Sequence, residues 1–264
     1  MLWLLSWPIR VDECTIALIA VTLRKVDGLP WKGYEGQDYE GFWTGPGKRY
    51  LDELERAIAS HTLPGGEAVV EIGAGFGRLG ASYIGKYRHV HMVEPASNLR
   101  EIAARAYGDA VSYHEASVTA LPFPDAAFDG VLLVRVFHHL GDPETALREI
   151  HRVLKGGGRL VFSYSNKRNV ARIAKYAAGR ERSPFTRDVE HYDTSLLGHH
   201  PSDVEDLLQR IGFTILEQYG VGLGDKLVER LPALARVLKP SLGVSRLIGG
   251  FRLAPTQFVV AEKR

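Results

Sequence analysis

Residues 69–80 read VVEIGAGFGRLG: a short β-branched apolar run passes directly into a glycine-rich turn, and the turn opens into residues with helical spacing. Gly73, Gly75 and Gly77 can adopt positive φ and leave backbone atoms open to a ligand that a Cβ would block. The six residues from Gly75 to Gly80 formally satisfy GxGxxG, in which a helix N-terminus receives a pyrophosphate. That match is weak by itself, and its neighbours decide. Glu71 stands two residues before the first glycine, and a carboxylate there attracts an ammonium group and repels a pyrophosphate. Glu94 ends the next apolar run, twenty-one residues after Gly73, where a carboxylate can accept hydrogen bonds from both hydroxyls of a ribose. Glu94 fits either nucleotide-type ligand, whereas Glu71 favours S-adenosylmethionine over NAD.

Outward from this turn the chain alternates. Residues 68–72, 89–93, 111–114, 130–134 (GVLLV) and 159–163 (RLVFS) are short apolar runs of strand type. Between them, residues 78–86, 97–107 and 143–154 carry helical spacing, the second opened by a Ser97 cap. Such alternation builds a mainly parallel sheet with helices on both faces, because each parallel crossover must pass over a sheet face. Residues 166–200 break the pattern with a polar, basic, irregular stretch. Ser202 to Glu205 then reads as a capping box for a helix ending at Gly212. Residues 213–219 and 257–261 read as closing strands, separated by a helical stretch over 226–238 that Pro232 interrupts. The break falls where a cap would cover the carboxyl edge of the sheet, the edge at which open α/β sheets hold ligands.

Composition bounds the rest. The 264 residues are 45% hydrophobic and 24% charged with a formal net charge of +2, an ordinary globular balance without the bulk positive charge of many nucleic-acid proteins. Cys14 is the only cysteine, which excludes an internal disulfide and a cysteine-rich metal site and makes a reducing, cytoplasmic setting the expectation; no metal is expected. The longest mostly apolar run, residues 14–23, falls short of the ~20 residues that span a bilayer. Residues 1–7 are apolar but lack the charged start and cleavage site of a secretory signal, so a packing segment is expected there.

With these residues in place, the chain resembles the class I S-adenosylmethionine-dependent methyltransferases, closely over residues 65–163 and in the small-molecule and quinone methyltransferase branch. Beyond VVEIGAGFGRLG and HMVEP, the resemblance rests on LPFPDAAFDGVLLVRVFHHL (121–140) and GDPETALREIHRVLKGGGRLVFS (141–163). It implies a Rossmann-like seven-stranded mixed sheet with its last strand antiparallel and an inserted cap at about 166–200. Residues 1–47 would form a leader and lid, and 48–264 the methyltransferase domain. It implies that Gly73, Ala74, Gly75 and Gly77 line the methionine and ribose of S-adenosylmethionine, which leaves as S-adenosylhomocysteine. Glu71 would act on the amino group, and Glu94 with Pro95 on the ribose. Ser117 occupies a slot that is usually acidic, so adenine would lean on the backbone of Val118. Val134 and Arg135 stand where the methionine meets the acceptor; Arg135 departs from the small residues common there, and a structural ion pair is an equal alternative. Tyr39 or Trp43, in the lid, would touch the cofactor pocket. Residues 25–31, KVDGLPW, look like the tail of a zinc-ribbon leader of which only Cys14 survives, leaving residues 1–30 as packing or an oligomer contact.

A base is optional for displacement at a sulfonium methyl, and histidine is the usual one for oxygen nucleophiles. His138 and His191 are the candidates, with His139, His199 and His200 as neighbours. Residues 167–187 carry seven basic side chains against Glu181 alone, which points to an anionic acceptor. Tyr164, Tyr176, Phe185 and Tyr192 offer stacking surfaces for an aromatic one. The expectation is a monomeric or homodimeric methyltransferase for a small anionic or aromatic acceptor. The alternatives are a non-catalytic S-adenosylmethionine-binding scaffold and an RNA methyltransferase; against the latter, the exit of the fourth strand reads Val134-Arg135-Val136-Phe137, without an NPPY-like tetrad.

Overall fold

The computed structural model describes residues 34–192, 196–236 and 241–264, so the packing or oligomer contact expected of residues 1–30 and the KVDGLPW stretch lie outside the described residues. Helix α1 (Pro46–Thr62) leads into strand β1 (Gly66–Ile72), followed by β2 (Tyr87–Val93), α2 (Ser97–Tyr107), β3 (Ser112–His114), β4 (Phe128–Leu133), α3 (Pro143–Val153) and β5 (Leu154–Ser165). Then come α4 (Val170–Ala177), the two-residue strands β6 (Glu190–His191) and β7 (Leu197–Gly198), α5 (Pro201–Ile211), β8 (Phe213–Val221), α6 (Asp225–Arg230), α7 (Leu242–Phe251) and β9 (Thr256–Lys263). The main sheet has seven strands in the order β3-β2-β1-β4-β5-β9-β8; β6 and β7 form a separate ribbon. The first five are parallel, and β9 runs antiparallel to both β5 and β8, as expected for the last strand.

Successive residues of a strand face opposite sides, so Val69 and Val70 enter different cores. Val70, Val131, Leu133 and Phe162 pack under α3 and α5 through Leu147, Ile150, Val204 and Leu208. Val69, Leu132, Val161 and Phe258 pack under α1 through Leu51, Leu54 and Ile58. The central strands are apolar on both faces, which is why they read as continuous runs rather than as alternation.

Several local expectations fail for identifiable reasons. Residues 78–86 form turns and a single 3-10 turn (Gly80–Ser82), because fully buried Tyr83 is drawn inward to donate to Glu71 and Gly85 takes φ +90°. Ser97 does not cap α2; its amide and hydroxyl both donate to Glu35. The capping box at 202–205 does not form either. His200 is the N-cap, its Nδ1 accepting from the Ser202 amide, while Glu205 pairs with Arg252 and accepts from Gln218. The stretch 226–238 is α6 plus a 3-10 turn (Pro232–Arg236), and α7 was not foreseen in its glycine-rich sequence.

The cap leaves and rejoins the sheet at one place. His199 donates its amide to Ser165 O and accepts from the Lys167 amide, so 165–167 and 199 lie side by side. Within the cap, Lys167 is buried with its Nζ on Thr186 Oγ1 and Asp188, and Arg172 pairs with Glu181 and Glu190.

At the opposite edge, Asp129 fixes the start of β1 by accepting from the amides of Glu67 and Ala68 (both 2.9 Å) while Lys155 donates to it at 2.8 Å. Asp129→Asn should lower stability by about 1 kcal/mol, since charge-assisted bonds are replaced by neutral ones. Urea unfolding measures this, and an unchanged midpoint would contradict it.

Candidate active site

The glycine turn sits at the carboxyl end of β1, and its three glycines have different surroundings. All take positive φ: Gly73 +68°, Gly75 +56° and Gly77 +78°. A Cβ on Gly73 would lie 2.2 Å from Val136 Cγ2, and one on Gly77 would lie 2.8 Å from the Tyr107 ring, so both keep the turn packed against the protein. A Cβ on Gly75 would meet only the edge of Tyr39, at 3.7 Å. The cradle is therefore centred on Gly75, between the turn and the Tyr39 ring.

Two buried carboxylates flank it. Glu94, 7% exposed, accepts from the Gly75 amide (2.8 Å) and the Ala96 amide (3.0 Å); burial raises its pKa, and the two amides partly offset that. Glu71, 3% exposed, accepts from Tyr83 Oη at 2.5 Å, and burial pushes its pKa up to about 7. Pro95 follows Glu94, its carbonyl taken by Arg100.

A third carboxylate, Glu55 on α1, holds the remaining walls. It has no solvent exposure and accepts from Arg78 (2.5 Å) at the turn and from Arg135 (2.5 Å) at the exit of β4. Burial alone would raise its pKa, but Arg135 and Arg78 outweigh that and hold the carboxyl below its usual range. Arg78 also pairs with Asp52 and lies 3.8 Å over the Trp43 ring, with Arg135 at 5.0 Å from the same ring. Arg135 sits at φ +59° with its amide on Ser163 Oγ. The ion pair foreseen as one option for Arg135 is thus formed. Neighbouring Val134 is buried under the same helix.

The segment 34–45 lies over the turn. Tyr39 stacks on Tyr34 (4.3 Å) and Phe42 (6.0 Å) and meets Trp43 and Phe76 edge-on. Tyr34 Oη approaches His139 Nε2 at 3.3 Å. Next to it, His138 is buried in the short turn after β4; burial, with His139, Arg135 and His199 nearby, takes its pKa down to about 2. His199 packs edge-on against Phe137, and its buried Nε2 has no partner among the described residues. His191 stands apart from these, exposed on the β6–β7 ribbon. At the far end, Ser117 is exposed with its hydroxyl turned to Thr119, and Val118 is in the core.

Four of the cap's seven cations are paired with carboxylates. Lys167, Arg172, Lys175 and Arg187 face Asp188, Glu181, Glu190, Asp203 and Asp206. Glu55 and Tyr83 were missed as site residues. Glu55 had a signal: it falls within the apolar stripe Leu51, Leu54, Ile58 of α1, where a carboxylate must find partners. No group of His, Cys, Asp and Glu able to hold a metal occurs among the described residues.

Residues 70–162 match the family described as methyltransferase domain. The O-methyltransferase cnsE of Penicillium expansum is 26% identical over 232 residues, covering 77% of this chain and 80% of that protein. The demethylmenaquinone methyltransferase of Thermus thermophilus is 52% identical over 58 residues, covering 22% of this chain and 26% of that protein. The 1,6-didemethyltoxoflavin-N1-methyltransferase of Burkholderia thailandensis, solved with its acceptor and S-adenosylhomocysteine, shares the fold with a TM-score of 0.54 at 20% identity, covering 81% of this chain and 80% of that one. Residues 70–162 are a methyltransferase domain, set in a fold shared with solved methyltransferases.

Two predictions follow from the buried acids. Glu55→Ala leaves two guanidinium groups without their shared partner and should cost about 3–5 kcal/mol in urea unfolding; a loss below about 1 kcal/mol would mean that the trio is solvated. For Glu71 the native pKa is raised to about 7 from an ordinary 4.5, so its contribution to stability is complete below about 4.5 and is lost as pH rises through about 7. Glu71→Gln should therefore be more stable than the parent at pH 8, by on the order of 3 kcal/mol, with the gap closing below the ordinary carboxylate pKa. Parallel unfolding curves at every pH would refute this.

Proposed function

We propose that this methyltransferase acts on a small aromatic acceptor, at a hydroxyl oxygen, in the space between segment 34–45 and the exits of β4 and β5. The observation that carries this is the aromatic stack Tyr34–Tyr39–Phe42, placed directly over the Gly75 cradle. A flat acceptor gains from offset or edge contacts with such rings. An anionic acceptor has less support, since four of the cap's seven cations, Lys167, Arg172, Lys175 and Arg187, already face carboxylates of the chain.

S-adenosylmethionine supplies a methyl group on a positively charged sulfur, with a neutral thioether as leaving group. The chain's part is to bind, orient and exclude water, which supplies much of the rate in an in-line displacement. The backbone of Gly73, Ala74, Gly75 and Gly77 would receive the methionine and ribose, with Tyr39 closing over them. Glu94 and Pro95 would hold the ribose edge and Glu71 the ammonium; Glu94 has lone pairs beyond its two amide bonds. Ser117 and Val118 would meet the adenine. Val134 and Arg135 mark the boundary with the acceptor, Arg135 acting through Glu55 as a positioning residue. His138, held neutral by its low pKa, would accept a hydrogen bond from the acceptor hydroxyl rather than store its proton. The hydroxyl proton would pass to solvent, and His191, exposed on the ribbon and apart from His138, would take no part in that step.

Calorimetry with S-adenosylmethionine and NAD tests the cofactor half: binding of the first alone, abolished in Gly75→Arg and weakened about tenfold or more in Glu94→Ala, is expected. Release of S-adenosylhomocysteine with a panel of phenols and hydroquinones, set against aliphatic carboxylates, tests the acceptor half. Turnover with the carboxylates and none with the aromatics would sink the aromatic assignment.

A further inference from the structure

Segment 34–45 is fastened to the body of the molecule by side chains. Among the described residues, the backbone hydrogen bonds of 34–44 close within the segment itself: Gln37 donates to Tyr34, Tyr39 to Gln37, Trp43 to Glu40 and Thr44 to Gly41. Such a segment can move as a piece, because no ladder of the sheet has to break first. An anchor lies on each side of the Tyr39 ring. The one at Trp43 is buried: the indole is 6% exposed, with Arg78 at 3.8 Å and Arg135 at 5.0 Å, and Glu55 pins both arginines. The one at Glu35 is exposed, and there the carboxylate accepts from the Ser97 amide at 2.8 Å and the Ser97 hydroxyl at 2.6 Å. Between them, Tyr34 Oη meets His139 Nε2 only at 3.3 Å, toward the long end of the hydrogen-bond range.

Ser97 opens α2, whose N-cap residue, Ala96, brings no side-chain acceptor to the free amides. Two carboxylates share those amides: Glu94 takes that of Ala96 at 3.0 Å, and Glu35 that of Ser97. Glu94 also accepts from the Gly75 amide, so Glu35 is fastened to the same wall that holds the glycine turn. The chain between Glu35 and Trp43 thus crosses the Gly75 cradle as a strap, with Tyr39 at its middle, 3.7 Å from where a Cβ on Gly75 would lie. Gly36 follows Glu35 at φ +74° with open space at its Cβ position, so the strap can bend beside the carboxylate. The exposed end is the one that opens, since the Trp43 end is buried among compensated charges.

We propose that Glu35 is a positioning residue that latches the strap across the cofactor cleft. While it holds Ser97, Tyr39 stays over Gly75; when it lets go, the strap swings about Trp43 to admit S-adenosylmethionine and release S-adenosylhomocysteine. This rests on the placement of the cofactor between Gly75 and Tyr39 proposed above. Glu35 acts through Tyr39 rather than on the reacting atoms, and the proposal does not depend on the identity of the acceptor.

Hydrogen exchange of the full chain without cofactor tests the latch. The amides of 37–44 should exchange about tenfold or more faster in Glu35→Ala than in the parent, with those of α1 and β1 unchanged. Glu35→Gln and Ser97→Ala, which each leave the Ser97 amide a partner, should fall between. Stopped-flow displacement of S-adenosylhomocysteine tests the gate: its dissociation rate should rise about tenfold or more in Glu35→Ala and less in the other two, with the unfolding midpoint at the parent value in all three. Unchanged exchange at 37–44 in a chain that binds S-adenosylhomocysteine normally overturns the latch. So does faster exchange with an unchanged dissociation rate, which would separate the strap from the cleft, and so does a lowered midpoint with no ordering of the rates, which would leave Glu35 a structural role alone. A parent that binds neither S-adenosylmethionine nor S-adenosylhomocysteine removes the cofactor placement itself, and the gate with it, whatever the exchange shows.

Discussion

The geometry of the site hangs on one carboxylate. Glu55 lies on α1, Arg78 at the glycine turn 23 residues on, and Arg135 at the exit of β4, 80 residues on. Burying three charges is a poor way to gain stability, since apolar side chains of similar volume often do as well or better. It is an effective way to define position, because each guanidinium has one direction in which its charge is compensated. Arg135 accepts a left-handed backbone for this, a conformation that disfavours a residue with a Cβ by roughly 1–2 kcal/mol. Trp43 covers the pair of arginines, so the segment over the turn is tied to the same point as the turn itself.

The sheet is legible in sequence because its strands are short, apolar on both faces and separated by recognisable turns. The register of the glycine turn is legible too, since Glu71 and its glycines are neighbours in the chain. What resists such reading is any feature whose partner is distant. The Ser97 cap is displaced by Glu35, 62 residues away, whereas the Ser202 cap fails for a local reason: a ring nitrogen of His200, two residues before it, takes the Ser202 amide. Helix α7 looks like a breaker sequence with Gly243, Gly249 and Gly250, yet Gly249 is what allows it to close on β8. Glu55 was passed over because nothing near it in the chain announces the two arginines.

Counting charge along a window misleads for the same reason. The seven cations of residues 167–187 form a dense positive run, but Asp188, Glu190, Asp203 and Asp206 lie just beyond its end. Folding brings these acids back onto Lys167, Arg172 and Arg187. The field at the carboxyl edge is therefore weaker than the tally implies, and the aromatic rings over Gly75 say more about what can rest there.

The cap begins and ends within a single bridge, at residues 165–167 and His199. A segment whose two ends already touch can lengthen, shorten or be exchanged at small entropic cost to the body that carries it, since loop closure grows only slowly with length. The sheet and the glycine turn at its carboxyl edge therefore do not depend on the length of the segment between residues 167 and 199.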